Sequence, residues 1–193
     1  MKADASVYEG KRVIRRALER VPGLERLEPN VVTLSILVPG AIAALALWLG
    51  LWLLAALAIA ARMILATLDG FVAERYGKAT RLGGYLNRIV TEVSDALVLL
   101  GLLPHAEPVW VAALIAVVWL VNVAGVLGPV AGGTVQWTGP AGQADRLAIL
   151  LIASLLATFI PIDWTLVCAL MVVLSAITLV RRTSRSIAEL RAR

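Results

Sequence analysis

The residues in this chain that could do chemistry are ionisable groups set inside otherwise apolar stretches. Arg62 and Asp69 stand in one such stretch, and Arg88, Glu92 and Asp95 in the next. A charged group is costly in a membrane-like interior, so a functional role is the default expectation. At helical spacing, Arg62, Ala66 and Asp69 share one face, and Asn87, Thr91 and Asp95 share another. Arg88 and Glu92 stand one turn apart and can pair. Three chemistries are open to this set. Carboxylate, amide and hydroxyl oxygens can hold a hard divalent cation. Guanidinium groups can grip phosphate without a metal. Glu92 and Asp95 can relay protons. The structural reading stands beside these: Arg88–Glu92 as a bracing ion pair, and Asp95 hydrogen-bonded to a neighbouring helix.

The elements that must position these groups follow from composition. Of 193 residues, 60% are hydrophobic and only 16% charged, with a mean hydropathy of +0.87. A soluble domain is roughly half apolar and a quarter charged. The balance excludes a cytosolic enzyme, a disordered tail and a coiled coil. At about 20 apolar residues per span the chain holds six spans and no second soluble domain. The expected fold is therefore all-α and integral to the membrane, with six transmembrane helices in one domain over 31–182.

The largely apolar run from Val31 to Leu68 would be about 57 Å long as one helix, nearly twice the hydrocarbon core. It must fold back, and Gly50 is the natural turn. The predicted spans are 31–49, with Asn30 as N-cap, then 51–68, 83–103, 109–131, 146–160 and a last helix ending at Arg181-Arg182. A polar loop is expected over 69–82, a turn with His105 over 104–108 and a Gly-rich loop before Asp145. Residues 1–30 read as a juxtamembrane arm whose amphipathic helix lies on the membrane surface. Its apolar face is Val7, Val13, Ile14, Ala17, Leu18 and Val21; its basic residues are Lys11, Arg12, Arg15, Arg16 and Arg20. Residues 183–193 read as a basic tail.

Charge gives orientation. The arm, the 69–82 loop, the Asp145-Arg146 edge and the tail carry nearly all of the 18 Lys+Arg, and the three alternate turns carry none. By the positive-inside rule both termini are cytoplasmic. The net charge of +5 then reads as membrane anchoring and anionic-lipid contact, with no nucleic-acid partner. The tryptophans near span ends, Trp137 among them, read as interfacial anchors. The single cysteine, Cys168, leaves no disulfide within the chain.

The stretch Ala66–Thr91 resembles the signature of the CDP-alcohol phosphatidyltransferase family, six-helix membrane enzymes of phospholipid synthesis. That signature is Asp, two residues, Asp-Gly, two residues, Ala-Arg, eight residues, Gly, three residues, Asp, three residues, Asp. Asp69, Gly70, Ala73 and Gly83 keep its register. Pro29–Thr33 resembles the start of the family's first helix, and Gly139–Arg146 a loop found in some members. The departures are equally specific. The first Asp falls on Ala66, the Arg on Glu74 with Arg75 beside it, the third Asp on Asn87 and the fourth on Thr91. Gln143 stands where a Lys is frequent.

The resemblance implies a CDP-lipid or anionic phospholipid partner, a homodimer, and a pocket facing the cytoplasm of a bacterial or archaeal membrane. It also implies two divalent cations held by four carboxylates against the donor's pyrophosphate, with the last Asp as general base. Here Ala66 supplies no ligand, Asn87 a neutral carbonyl and Thr91 a hydroxyl. The set allows at most one ion, Mg2+ or Mn2+, bridged by Asp69, Asn87 and substrate phosphates. Asp69 remains the signature carboxylate for catalysis; Asp95, about 6 Å deeper, is the nearest substitute on its face. Arg62, Gly70, Ala73, Arg75, Gly83, Asn87, Thr91 and Arg146 form the expected substrate site, and Lys78 and Arg81 ring its mouth. Three functions stay open: a divergent member or pseudoenzyme that binds a nucleotide-lipid, an active phosphotransferase releasing CMP through a reduced metal site, and a small proton-coupled transporter.

Overall fold

A computed structural model describes residues 15–192 apart from Ala17. Most of the amphipathic arm helix, including Val7, Lys11, Arg12, Val13, Ile14 and Ala17, lies outside the described residues. Seven α-helices follow a short 3-10 turn at Leu24–Arg26. They are α1 Pro29–Ser35, α2 Leu37–Trp48, α3 Trp52–Arg75, α4 Arg81–Leu100, α5 Pro108–Val130, α6 Gln143–Ala157 and α7 Trp164–Arg191. Among the described residues there is no β-strand.

Among the described residues four segments are long and apolar enough to cross a membrane: Pro29–Trp48 (α1 with α2), α3, α5 and α7. The other two differ for visible reasons. Within α4 lie Arg81, Arg88, Glu92 and Asp95, and α6 is only 15 residues long. Large apolar side chains such as Val38, Leu57, Val109, Leu166 and Val173 are more than half exposed. On a soluble molecule such a surface is a liability; in a bilayer it is the solvated face.

Local chemistry explains the boundaries. Gly50 makes the expected turn at φ 69°, a conformation that costs glycine little. The first span, expected as one helix, breaks at Ile36. Pro39 has no N–H for the Ser35 carbonyl and its ring crowds that carbonyl, so the ladder is interrupted there. Pro29 is the first helical residue, and Glu28, not Asn30, precedes it as cap.

The expected loop 69–82 is a correction of more consequence. The helix runs on to Arg75, so Asp69, Gly70, Ala73 and Arg75 are helical. Phe71 and Val72 are buried against Leu24, which keeps this polar stretch in the helix, and Gly77 at φ 65° follows its end. Thr80 then caps α4, accepting from the Gly83 N–H at 2.9 Å. Similarly, α6 begins at Gln143 rather than 146, with the Asp145 carboxylate accepting from the Gly142 N–H at 2.8 Å. The tail is no separate element either, because α7 continues to Arg191.

The core joins Ala43, Leu47, Ile59, Val98, Leu114, Leu150 and Met171 from six helices. Small residues let the backbones close up. A Cβ added at Gly101 would come within 2.5 Å of the Ala44 carbonyl oxygen, which seats α4 directly on α2. Both α1 and α2 lean on α3 and α4, α6 packs on α3, and α7 packs on α5.

Candidate functional site

Two helices supply the sequence-predicted site. On α3, Arg62 and Asp69 are buried; on α4, Thr91 and Asp95 are buried. Asn87 is half-buried on α4. The helices are tied across their gap by one side chain. Arg62 Nη2 donates to the Thr91 carbonyl at 3.1 Å and stands 2.5 Å from Asp95 Oδ1. The arginine of one predicted face thus grips the aspartate of the other.

Asp95 gathers a third element. Gln143 Nε2 donates to its Oδ2 at 2.9 Å, and Arg146 Nη2 stands 3.9 Å from the same oxygen. Arg146 Nη1 donates to the Ala141 carbonyl at 2.8 Å. Arg62, Asp95 and Arg146 are 2%, 4% and 3% exposed, so two guanidiniums and one carboxylate share a water-poor interior. Arg146 Nη2 and Arg62 Nε are buried there without a hydrogen-bond partner. Because α6 starts early, Gln143 and Arg146 are one turn apart and both reach Asp95 on α4.

Nearer the Arg75 end of α3, Asp69 Oδ2 accepts from Thr33 Oγ1 at 2.7 Å. The same hydroxyl lies 2.9 Å from the Pro29 carbonyl, so α1 fixes the orientation of this carboxylate. Thr91 Oγ1 shares its proton between the Asn87 carbonyl at 2.7 Å and the Arg88 carbonyl at 3.1 Å. The two signature glycines differ. A Cβ on Gly83 would fall 2.9 Å from Asn30 Oδ1, so that glycine lets α4 approach α1. A Cβ on Gly70 would meet nothing within 4 Å, so Gly70 faces open space. Among the described residues no three or more His, Cys, Asp or Glu side chains are grouped to hold a metal ion.

Other expectations change at contact level. Arg88 lies 4.4 Å above the Trp137 ring, and Glu92 accepts from Asn122 Nδ2, so each of these two residues, besides facing the other, braces a neighbour from another segment. Trp137, expected as an anchor, is a stacking partner for a cation. Glu74, at the signature arginine position, pairs with Arg15 of the arm. These two, with Glu19, Phe71 and Arg75, line a cleft of about 310 Å³. Lys78 donates to the Glu25 and Leu27 carbonyls at 2.8 Å each, which binds the arm to the α3–α4 loop. A second cleft, about 330 Å³, sits at the other end of α3 between Trp52, His105 and Trp164.

Arg182 was not among the expected site residues. It is 3% exposed on α7. Its guanidinium donates to the carbonyls of Val121 at 3.0 Å, Trp137 at 3.3 Å and Thr138 at 3.4 Å. The loop is held further where the Ala141 N–H donates to Thr178 Oγ1 at 2.9 Å, and where Glu189 accepts from Thr134 and Gln136. The signal was present in the sequence. Cys168, Met171, Ser175, Thr178 and Arg182 recur at helical spacing and are all buried, so Arg182 closes the inward stripe of α7.

No protein-family model matches this chain, and no curated protein does. Solved structures do match it. The crystal structure of Mycobacterium tuberculosis phosphatidylinositol phosphate synthase with CDP-DAG bound has a TM-score of 0.70 at 23% identity, over 93% of this chain and 92% of that one. The same enzyme in complex with manganese and citrate gives 0.71 at 23% identity, over 91% and 88%. Its apo form gives 0.69 at 24%, over 90% and 94%. At these identities the likeness is one of fold. The structural neighbours are a CDP-alcohol phosphatidyltransferase, which agrees with the resemblance read from Ala66–Thr91.

Proposed function

We propose that this chain is an integral membrane protein of phospholipid biosynthesis that holds a CDP-lipid between α3 and α4, on the cytoplasmic side, and does not carry out two-metal phosphatidyl transfer. The fold supports the first half, since a neighbour of the same architecture carries CDP-DAG. The observation that carries the second half is the donor set. Of the four signature positions only Asp69 is a carboxylate, and Thr33 occupies one of its oxygens. Thr91 has committed its hydroxyl proton to its own helix. Two hard dications need several charged oxygens in near-octahedral order, and these residues do not fit such a pair. Thr91 also has no ionisable side chain near neutral pH, so it provides no general base.

Binding roles follow position. Gly70, with open space before it, permits close ligand approach; Ala73 lies one turn on along that face, and Arg75 stands at the end of α3 beside the arm; Gly83 sets the α1–α4 spacing. Asn87 offers a neutral oxygen and an N–H2 donor. The charge pattern of the loops supports a cytoplasmic mouth.

One observation favours a second reading. Among the described residues only Oδ2 of Asp69 accepts a side-chain hydrogen bond, so Asp69 Oδ1 with Asn87 could take a single Mg2+ or Mn2+ and support slow transfer. The experiment is CMP release from CDP-diacylglycerol by the purified chain, with and without divalent ion and a set of alcohol acceptors. No release, with CDP-lipid still raising the melting temperature, is the expected result. Release that is lost in Asp69→Asn would replace the first reading by the second.

A further inference from the structure

We propose that Arg62 is the fixed cation of this site, and that the site takes the phosphate oxygens of its ligand without a divalent cation. The inference rests on the pocket reading above and names what holds the anion in that pocket.

Arg62 lies one turn from Ala66 on the same face of α3, and its guanidinium reaches the carbonyl of Thr91. These are two of the signature positions without a carboxylate. A cation built into the chain therefore bridges the helices beside the places where acids are missing. The local donors are not all satisfied. Arg62 and Arg146 both pair with Asp95, whose Oδ2 already accepts from Gln143, and the carboxylates of Glu92 and Asp145 act on Arg146 as well. Arg146 Nη2 at 3.9 Å is too far to donate to Asp95, and Arg62 Nε is equally unfilled. Buried donors without acceptors are costly, more so when charged. A phosphate oxygen brought to these two N–H groups supplies the acceptor they lack, which a divalent cation cannot do. Guanidiniums also match the paired oxygens of a phosphate geometrically. The ligand class is a phosphate ester, and both a nucleotide pyrophosphate and a lipid phosphate monoester carry that chemistry.

The test uses the full chain in lipid nanodiscs, with CDP-diacylglycerol affinity measured in EDTA and in excess manganese. The expected result is binding in EDTA, with a change of less than about twofold on adding Mn2+. The manganese EPR spectrum should show no ion immobilised by the protein. Arg62→Met alone strands Asp95, so the working variant is Arg62→Met with Asp95→Asn, which removes both charges. It should weaken binding in EDTA by about tenfold or more, and Arg62→Lys should keep part of the affinity. Competition by CDP or by phosphatidic acid identifies which phosphate is gripped, and either supports the proposal. Binding that needs Mn2+, or a double variant that binds as tightly as the parent, overturns it. No CDP-lipid binding under any condition would remove the pocket reading itself, a different failure from a demand for metal.

Discussion

Replacing Asp95 by Asn is the most informative single change to the packing of the bundle. The substitution keeps the side chain's size but removes the carboxylate that pairs with both Arg62 and Arg146. Two guanidiniums, 2% and 3% exposed, would then face each other across a neutral amide. A pair of unit charges about 4 Å apart is worth about 4 kcal/mol at the effective dielectric of ordinary protein sites. Removing one partner of a buried pair costs about 3–5 kcal/mol in practice. We expect Asp95→Asn to lower stability by about 3–5 kcal/mol, read as the unfolding free energy in mixed micelles by circular dichroism. Arg62→Met in the Asp95→Asn background should recover about 2 kcal/mol or more, because the stranded charge is gone. A loss below about 1 kcal/mol for Asp95→Asn would place the triad in the range of exposed pairs and refute the burial argument.

Two further predictions separate packing from binding and fix orientation. Gly101→Ala drives a methyl into the Ala44 backbone and should cost about 1–3 kcal/mol of unfolding free energy; Gly70→Ala, with open space at its Cβ, should leave the melting temperature unchanged while weakening CDP-lipid binding. Cysteines placed singly at Lys78 and at Glu107, in a Cys168→Ala background, should react with a membrane-impermeant maleimide from opposite sides, with Lys78 shielded in intact cells; labelling of both from outside would refute the orientation.

The sequence carried the scaffold where one signal dominated. Gly50 turns as expected, α5 falls within one residue of its predicted span, and the two faces bearing Arg62 and Asp95 do meet. Misreadings came where tertiary contacts outweighed local signals. Asp69-Gly70 reads as a helix end, yet the burial of Phe71 and Val72 against Leu24 carries the helix past it. Pro39 acts one turn upstream of itself, so the break at Ile36 hides in an unbroken apolar run. Spacing set Arg88 beside Glu92, but it could not show Trp137 and Asn122, which other segments bring onto the two side chains. Arg182 lay at the edge of a predicted span and passed for an orientation charge. Only the carbonyls of α5 and the Gly-rich loop, brought in by folding, reveal its role.

The polar character of α4 and the brevity of α6 bear on biogenesis. Neither segment qualifies by length and apolar content as a span on its own, whereas α3, α5 and α7 do. Arg62 emerges from the ribosome before Asp95, and Asp95 before Gln143 and Arg146. Each late-coming polar helix therefore finds a complementary group already waiting in a neighbour. Were α4 and α6 to join the bilayer, each would enter it beside a partner that already carries the matching charge.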